Sequence, residues 1–178
     1  MLRPFRKTVD DYMAYDEERV ELIDGEFVVM NAPTWRHQEV MGNLFALLRT
    51  QVLGLKLGKV YPSPVDVILS RTNVVQPDIV FLSNECLKRL NPKLEGPPDV
   101  AIEVLSKPTR RHDLKRKRKL YHEFRVPEYW IVDPDAETVT VLVWKSEGWI
   151  EHGVFKRGET ATSVVMNGIG ARVVEIFE

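Results

Sequence analysis

Two carboxylates sit in stretches that otherwise have the composition of buried strands. Asp78 follows Pro77 in "VVQPDIVFLS", and Glu103 lies inside "PDVAIEVLS". An ionised side chain among valines and isoleucines is costly unless an opposite charge or a metal compensates it. Strands that follow one another in sequence are usually neighbours in a sheet. If these two pair, Asp78 and Glu103 meet near its middle. Two close carboxylates repel each other. A divalent cation removes that cost and makes a nucleophile of bound water. Oxygen donors, in a chain with one cysteine (Cys86) and four histidines, suit Mg²⁺ or Mn²⁺ better than Zn²⁺.

The compensating charge has a source close by. Lys107, Arg110, Arg111, Lys115, Arg116, Lys117, Arg118 and Lys119 crowd the segment after Glu103. On a helix turning about 100° per residue, Leu114, Lys117, Leu120, Tyr121 and Phe124 share one side. Lys117 is therefore directed at the protein body and is the expected partner of Glu103. Lys115, Arg116 and Lys119 point to solvent, and Arg118 lies on the border. Two readings stand together here: a buried Glu–Lys ion pair without chemistry, or a reactive site shared with Asp78.

Other elements must hold these residues. Thr8, Asp10 and Asp11 mark the start of a short helix ending about Tyr15. "RVELIDGEFVVM" is a hairpin turning at Asp24-Gly25. "WRHQEVMGNLFALLRTQVLG" has helical periodicity, with Gly54 as its stop. Three strand segments follow, "VYPSPVDVILS", "VVQPDIVFLS" and "PDVAIEVLS", with a short helix and loop in "NECLKRLNPKLEGPP". A helix from about 112 to 124 precedes the strand "EYWIVDP". "TVTVLVW", "WIEHGVF" and "RVVEIF" have the pattern of further strands. The expected fold is α/β, a mixed sheet with helices packed on it, plus an N-terminal hairpin and extra C-terminal strands. At 178 residues, one domain over 1–178 is expected.

Composition narrows the function. The chain is 44% hydrophobic and 29% charged, ordinary for a soluble protein. No apolar run approaches the roughly 20 residues that cross a bilayer. The lone cysteine allows no internal disulfide and fits a reducing, cytoplasmic setting. A net charge of −1 does not announce a nucleic-acid binder, although the local basic segment is able to meet phosphates. "GLKLGKV" has too few residues between its glycines for a phosphate-binding loop, and no Ser or Thr follows its lysine. "NGIGARV" lacks the third glycine of a dinucleotide fingerprint. No H-E-x-x-H, paired cysteines or G-x-S-x-G elbow occurs.

The ordered blocks "VELIDGEFVVMNAPTWRHQ", "PVDVILS", "VVQPDIVFLS", "GPPDVAIEVLSKPTRRHD", "KRKRKLY" and "VPEYWIVDP" resemble the Uma-two family of restriction-endonuclease-like proteins, within the PD-(D/E)XK nuclease superfamily. The likeness covers nearly the whole chain. It implies a restriction-endonuclease-like core with helices flanking a central mixed sheet, and metal-dependent phosphodiester hydrolysis. Pro77-Asp78 matches the P-D element, with Asp78 a metal ligand. Glu103 matches the acidic residue of the second half-motif, with the Val104 carbonyl as a further ligand. Leu105 stands where the superfamily lysine usually sits, and Lys117 matches the lysine moved onto the next helix.

Glu21 and His37 match positions typical of the family. General burial habits favour an exposed face for a hairpin glutamate such as Glu21. His37 is either a site residue or a helix-end surface group, and Asp66 faces either the site or solvent. Ser106 is either a turn residue or part of the site. The implied mechanism has Asp78 and Glu103 holding Mg²⁺ (or Mn²⁺) and Lys117 as catalytic lysine. Arg110, Arg111, Lys115 and Arg118 would receive flanking phosphates of a nucleic acid, DNA first among them. The rival readings are a non-catalytic nucleic-acid- or protein-binding module with a vestigial site, and metal-assisted chemistry on another substrate. Trp144 and Trp149, in one hairpin, suit either core packing or an interface. Restriction-type nucleases often pair their sites, so a homodimer is expected.

Overall fold

The computed structural model of the chain describes residues 6–15, 19–106 and 112–178. Thr8 caps α1 (Val9–Met13) through a capping box with Asp11. Strands β1 (Val20–Ile23) and β2 (Glu26–Val29) form the expected hairpin, with Asp24 and Gly25 both at positive φ. Helix α2 (Trp35–Gly54) follows over the span its periodicity predicts. Next come β3 (Gly58–Pro62), β4 (Val67–Ser70), β5 (Asn73–Val75) and β6 (Ile79–Ser83). A 3₁₀ turn (Cys86–Arg89) and β7 (Leu94–Glu95) lead to β8 (Val100–Val104). A π-helical segment (His112–Lys117) opens into α3 (Arg118–Glu123). The chain then forms β9 (Glu128–Asp133), β10 (Thr138–Lys145), β11 (Gly148–Lys156), β12 (Thr160–Thr162), β13 (Gly170–Arg172) and α4 (Val173–Phe177).

Two sheets carry the fold. A six-stranded mixed sheet runs β11-β10-β9-β8-β6-β3, and a five-stranded one runs β2-β1-β5-β4-β7. The segments "VYPSPVDVILS" and "VVQPDIVFLS", each expected as one strand, are each divided between the two sheets. The breaks fall at residues 63–66 and 76–78. Pro64 and Pro77 lie within them, and a residue without an N–H interrupts a ladder where it stands.

The six-stranded sheet is covered on both faces, so β8 and β9 are buried along their whole length. On one face Val40, Leu44, Leu48 and Val52 of α2 meet Ile79, Val100, Ile102 and Trp130. On the other face Leu120 and Tyr121 of α3, with Val67 and Val75 of the second sheet, meet Val80, Ala101 and Tyr129. Side chains alternate along a strand, so Glu103 shares the second face with Ala101. No helix among the described residues is long and apolar enough to cross a membrane.

The C-terminal expectation changes. "RVVEIF" ends in helix rather than strand. Val173, Ile176 and Phe177 bury one side of α4. From α2, Arg36 and Asn43 donate to the Phe177 and Ile176 carbonyls at 2.9 and 3.4 Å. Packing and satisfied terminal carbonyls override the strand preference of the two valines. The hairpin tryptophans face inward: Trp149 and Trp144 donate their indole N–H to the Arg118 and His122 carbonyls at 2.9 and 3.0 Å. They clamp α3 onto the sheet.

Glu128, fully buried at the start of β9, is a second polar anchor. Its carboxylate accepts from Trp130 Nε1 (2.7 Å), Ser163 Oγ (2.6 Å) and the Val164 and Val165 amides (2.6 and 3.0 Å). Glu128→Ala strands two backbone donors and should cost about 3 kcal/mol in urea unfolding. A loss under about 1 kcal/mol would mean those donors find other partners.

Candidate active site

Strands β6 and β8 are antiparallel with Ile79 opposite Ile102, so continuing the register sets Asp78 opposite Glu103. Asp78 Oδ2 accepts the Val104 N–H at 2.8 Å and the His37 Nε2–H at 3.2 Å. Among the described residues, Asp78 Oδ1 receives no hydrogen bond. His37 lies in the first turn of α2, where its amide donates to the cap hydroxyl of Thr34 at 3.2 Å. Its ring joins the site instead of decorating the surface.

Glu103 belongs to a buried ionic cluster. Lys117 Nζ lies 2.9 Å from Glu103 Oε1 and 2.9 Å from Glu21 Oε1. The lysine side chain is 1% exposed and Glu21 is fully buried. Glu21 Oε1 also accepts the Gln76 N–H at 2.7 Å. The expected exposed face for Glu21 is thus corrected. Every residue of β1 is buried, because the strand lies between β2 and β5 and carries its glutamate to the lysine. The segment expected as one α-helix is π-helical over His112–Lys117, so the 100° spacing holds from Lys117 onward to Leu120 and Tyr121, and the lysine reaches Glu103. It is not part of the cleft wall described below, however; it lies behind the carboxylates.

Tyr121 and Gln76 are contacts the sequence did not reveal. Tyr121 OH donates to Glu103 Oε1 at 2.6 Å. Burial, then the charges of Glu103 and Glu21, hold its hydroxyl well above the ordinary tyrosine range, so it remains a donor. The available signal was position: Tyr121 follows Lys117 by four residues and shares its side of the helix. Gln76 is a main-chain contact, which no side-chain pattern announces.

Asp78, Glu103, Val104 and Ser106 open onto a cleft of about 530 Å³, with Arg19 and His37 also in its wall. Asp66 lies in an adjoining cavity of about 430 Å³ that shares Gln76 with the first. It accepts from Tyr12 OH (2.8 Å) and Gln76 Nε2 (2.9 Å) and pairs with Lys93. Asp66 is therefore linked to the cluster through Gln76 and not by contact. Burial raises its pKa, but hydrogen bonds from Lys93, Gln76 and Tyr12 together outweigh that and lower it. Of the basic residues, Lys115 and Arg118 are exposed. Arg116, expected in solvent, instead binds the Ile23 carbonyl and Glu26, each at 3.1 Å. Lys107, Arg110 and Arg111 lie outside the described residues.

The donor set fits a hard divalent cation. Asp78 and Glu103 offer carboxylate oxygens across a strand pair, and the opposing charge already present is an ammonium. Among the described residues no three His, Cys, Asp or Glu side chains converge as a metal cluster. Mg²⁺ commonly uses one or two carboxylates, its waters and the substrate phosphate, so a larger cluster is not required.

The chain superposes with a TM-score of 0.79 on the crystal structure of "a putative nuclease belonging to DUF820" from Anabaena variabilis. The match covers 96% of this chain and 97% of the other at 17% identity, a likeness that establishes the fold. No curated protein matches the chain. Residues 9–173 match the Uma2 family, whose description is "Putative restriction endonuclease", and the chain belongs to that family.

Replacing Lys117 by Met leaves Glu21 and Glu103 buried without their shared cation. It should cost about 3–5 kcal/mol in urea unfolding; an unchanged midpoint would show that the pair contributes no net stability. Asp66 makes a separate, pH-dependent contribution. Its folded pKa is depressed, so its stabilisation is complete above the unfolded value of about 4 and disappears as pH falls through the folded one. The stability gap between wild type and Asp66→Asn should hold at neutral pH and close in that acidic window. A gap independent of pH would assign it to packing.

Proposed function

We propose that this protein is a Mg²⁺-dependent nuclease that hydrolyses DNA phosphodiester bonds in the cleft bounded by Asp78 and Glu103. The observation that carries this reading is that Asp78 and Glu103 line one cleft, Asp78 held by the Val104 N–H next to Glu103, with Lys117 bridging Glu103 to Glu21. Asp78 and Glu103 would hold Mg²⁺ or Mn²⁺, with the Val104 carbonyl as an additional donor. When bound, such an ion polarises the phosphate and lowers the pKa of its water.

The chain's own groups prepare the two ligands. Val104 N–H and His37 hold Oδ2 of Asp78, which orients Oδ1 for coordination. Lys117 and Tyr121 both hold Oε1 of Glu103 and keep its carboxylate from turning. Arg19, in the cleft wall, would meet a neighbouring phosphate, and the exposed Lys115 and Arg118, with Arg110 and Arg111, would be the further basic contacts. Cutting both strands of a duplex needs two sites, so we assign a pair of chains as the working unit. The single buried thiol, Cys86, suits the reducing cytoplasm.

A non-catalytic binding module is the second reading. The observation favouring it is that Lys117 is enclosed by its two glutamates, as a structural ion pair would be. Calorimetry with Mn²⁺ and cleavage assays on DNA decide between them. The nuclease reading expects saturable Mn²⁺ binding that Asp78→Asn removes, and Mg²⁺-dependent cleavage that Asp78→Asn or Glu103→Gln lowers by ~100-fold or more. DNA binding without cleavage, unaltered by Asp78→Asn, would establish the module instead.

A further inference from the structure

We propose that Trp35 is a stacking platform for a nucleobase beside the cleft, a proposal that rests on the nuclease reading and names how the substrate is gripped. Trp35 is 93% exposed. The other three tryptophans each donate their indole N–H: Trp130 to Glu128, Trp144 to the His122 carbonyl and Trp149 to the Arg118 carbonyl. Leaving the largest apolar side chain in water forfeits the burial its neighbours obtain.

Position indicates what it serves. Trp35 opens α2, one residue after the cap Thr34 and two before His37, the histidine bonded to Asp78. At about 100° per residue, it points nearly opposite the buried row Val40, Leu44, Leu48 and Val52, so the protein body is unable to cover it. Gln38, three residues on and therefore adjacent on the helix surface, lines the cleft with Thr34 and His37. The Cα–Cβ bonds of a helix tilt toward its N-terminus, the end where the loop of residues 30–33 also lines the cleft.

The mount is rigid. The Thr34 hydroxyl caps the first turn, and Arg36 ties that turn to the Phe177 carbonyl and to Glu39. An exposed aromatic ring on a capped turn next to a phosphodiester-binding cleft, with Arg19 in the cleft wall, has the two parts of a single-strand grip. One part takes the base by stacking and the other takes the backbone by charge.

The test uses intrinsic fluorescence of the full chain in EDTA, so that nothing is cleaved. A short oligothymidylate should quench the wild-type emission, with Trp35→Ala losing the quench and binding about tenfold more weakly. Trp35→Phe should recover most of the affinity. An abasic oligomer of the same length, carrying the same phosphates, should bind wild type and Trp35→Ala equally and quench neither. Equal oligothymidylate affinity for wild type and Trp35→Ala would overturn the stacking role and leave the nuclease reading standing. Failure of wild type to bind either oligomer would overturn the stacking role, and the nuclease reading would then stand or fall on the Mg²⁺-dependent cleavage assay alone. A dimer in sedimentation, lost in Trp35→Ala without nucleic acid, would assign the indole to a second copy and overturn the proposal.

Discussion

The ammonium of Lys117 between Glu21 and Glu103 is the contact on which the rest of the molecule depends. It joins β1 of the five-stranded sheet, β8 of the six-stranded sheet and the helical segment that covers them. Each of these charges loses several kcal/mol of hydration when buried, and only close geometry with additional hydrogen bonds returns it. Here the additional bonds are the Gln76 N–H on Glu21 and the Tyr121 hydroxyl on Glu103. Such an arrangement tolerates little displacement of the two sheets. The cluster therefore acts on register as much as on stability, and the tryptophan clamp on α3 serves the same end from outside.

The crossing between sheets is the second constraint. Residues 76–78 carry the chain from β5 to β6, and Pro77 falls where no ladder bond is needed. On one side of it the Gln76 N–H reaches Glu21, and on the other Asp78 takes the Val104 N–H. One short stretch thus supports both the buried cluster and the carboxylate at the cleft. The side chain of Gln76 continues outward to Asp66 and Tyr12, so the neighbouring cavity is braced by the same residue.

The first turn of α2 links the site to its surroundings in a similar way. One cap, Thr34, sets the direction of three consecutive side chains with different surroundings. Trp35 goes to solvent, Arg36 to α4, and His37 to Asp78. The buried row farther along the helix holds this turn against the six-stranded sheet, so the same hydrophobic contacts that anchor the fold aim the residues at its edge.

Much of the site was legible because its chemistry violates local expectation. A carboxylate among β-branched residues is conspicuous, and helical periodicity sent Lys117 toward it without any structure. The hairpin at Asp24-Gly25 and the whole of α2 followed from turn chemistry and apolar spacing. What the sequence left open depends on neighbours that are distant along the chain. Glu21 was indistinguishable from an exposed hairpin glutamate, because its burial comes from β5 and from a lysine 96 residues later. The terminal "RVVEIF" favoured strand by composition, and only α2 made it a helix. The division of two apparent strands between sheets, the Gln76 amide on Glu21 and the inward tryptophans were decided by tertiary structure alone. Side-chain type and period are local properties. Which groups share a low-dielectric interior, and which backbone donors remain for them, is settled only when the sheets meet.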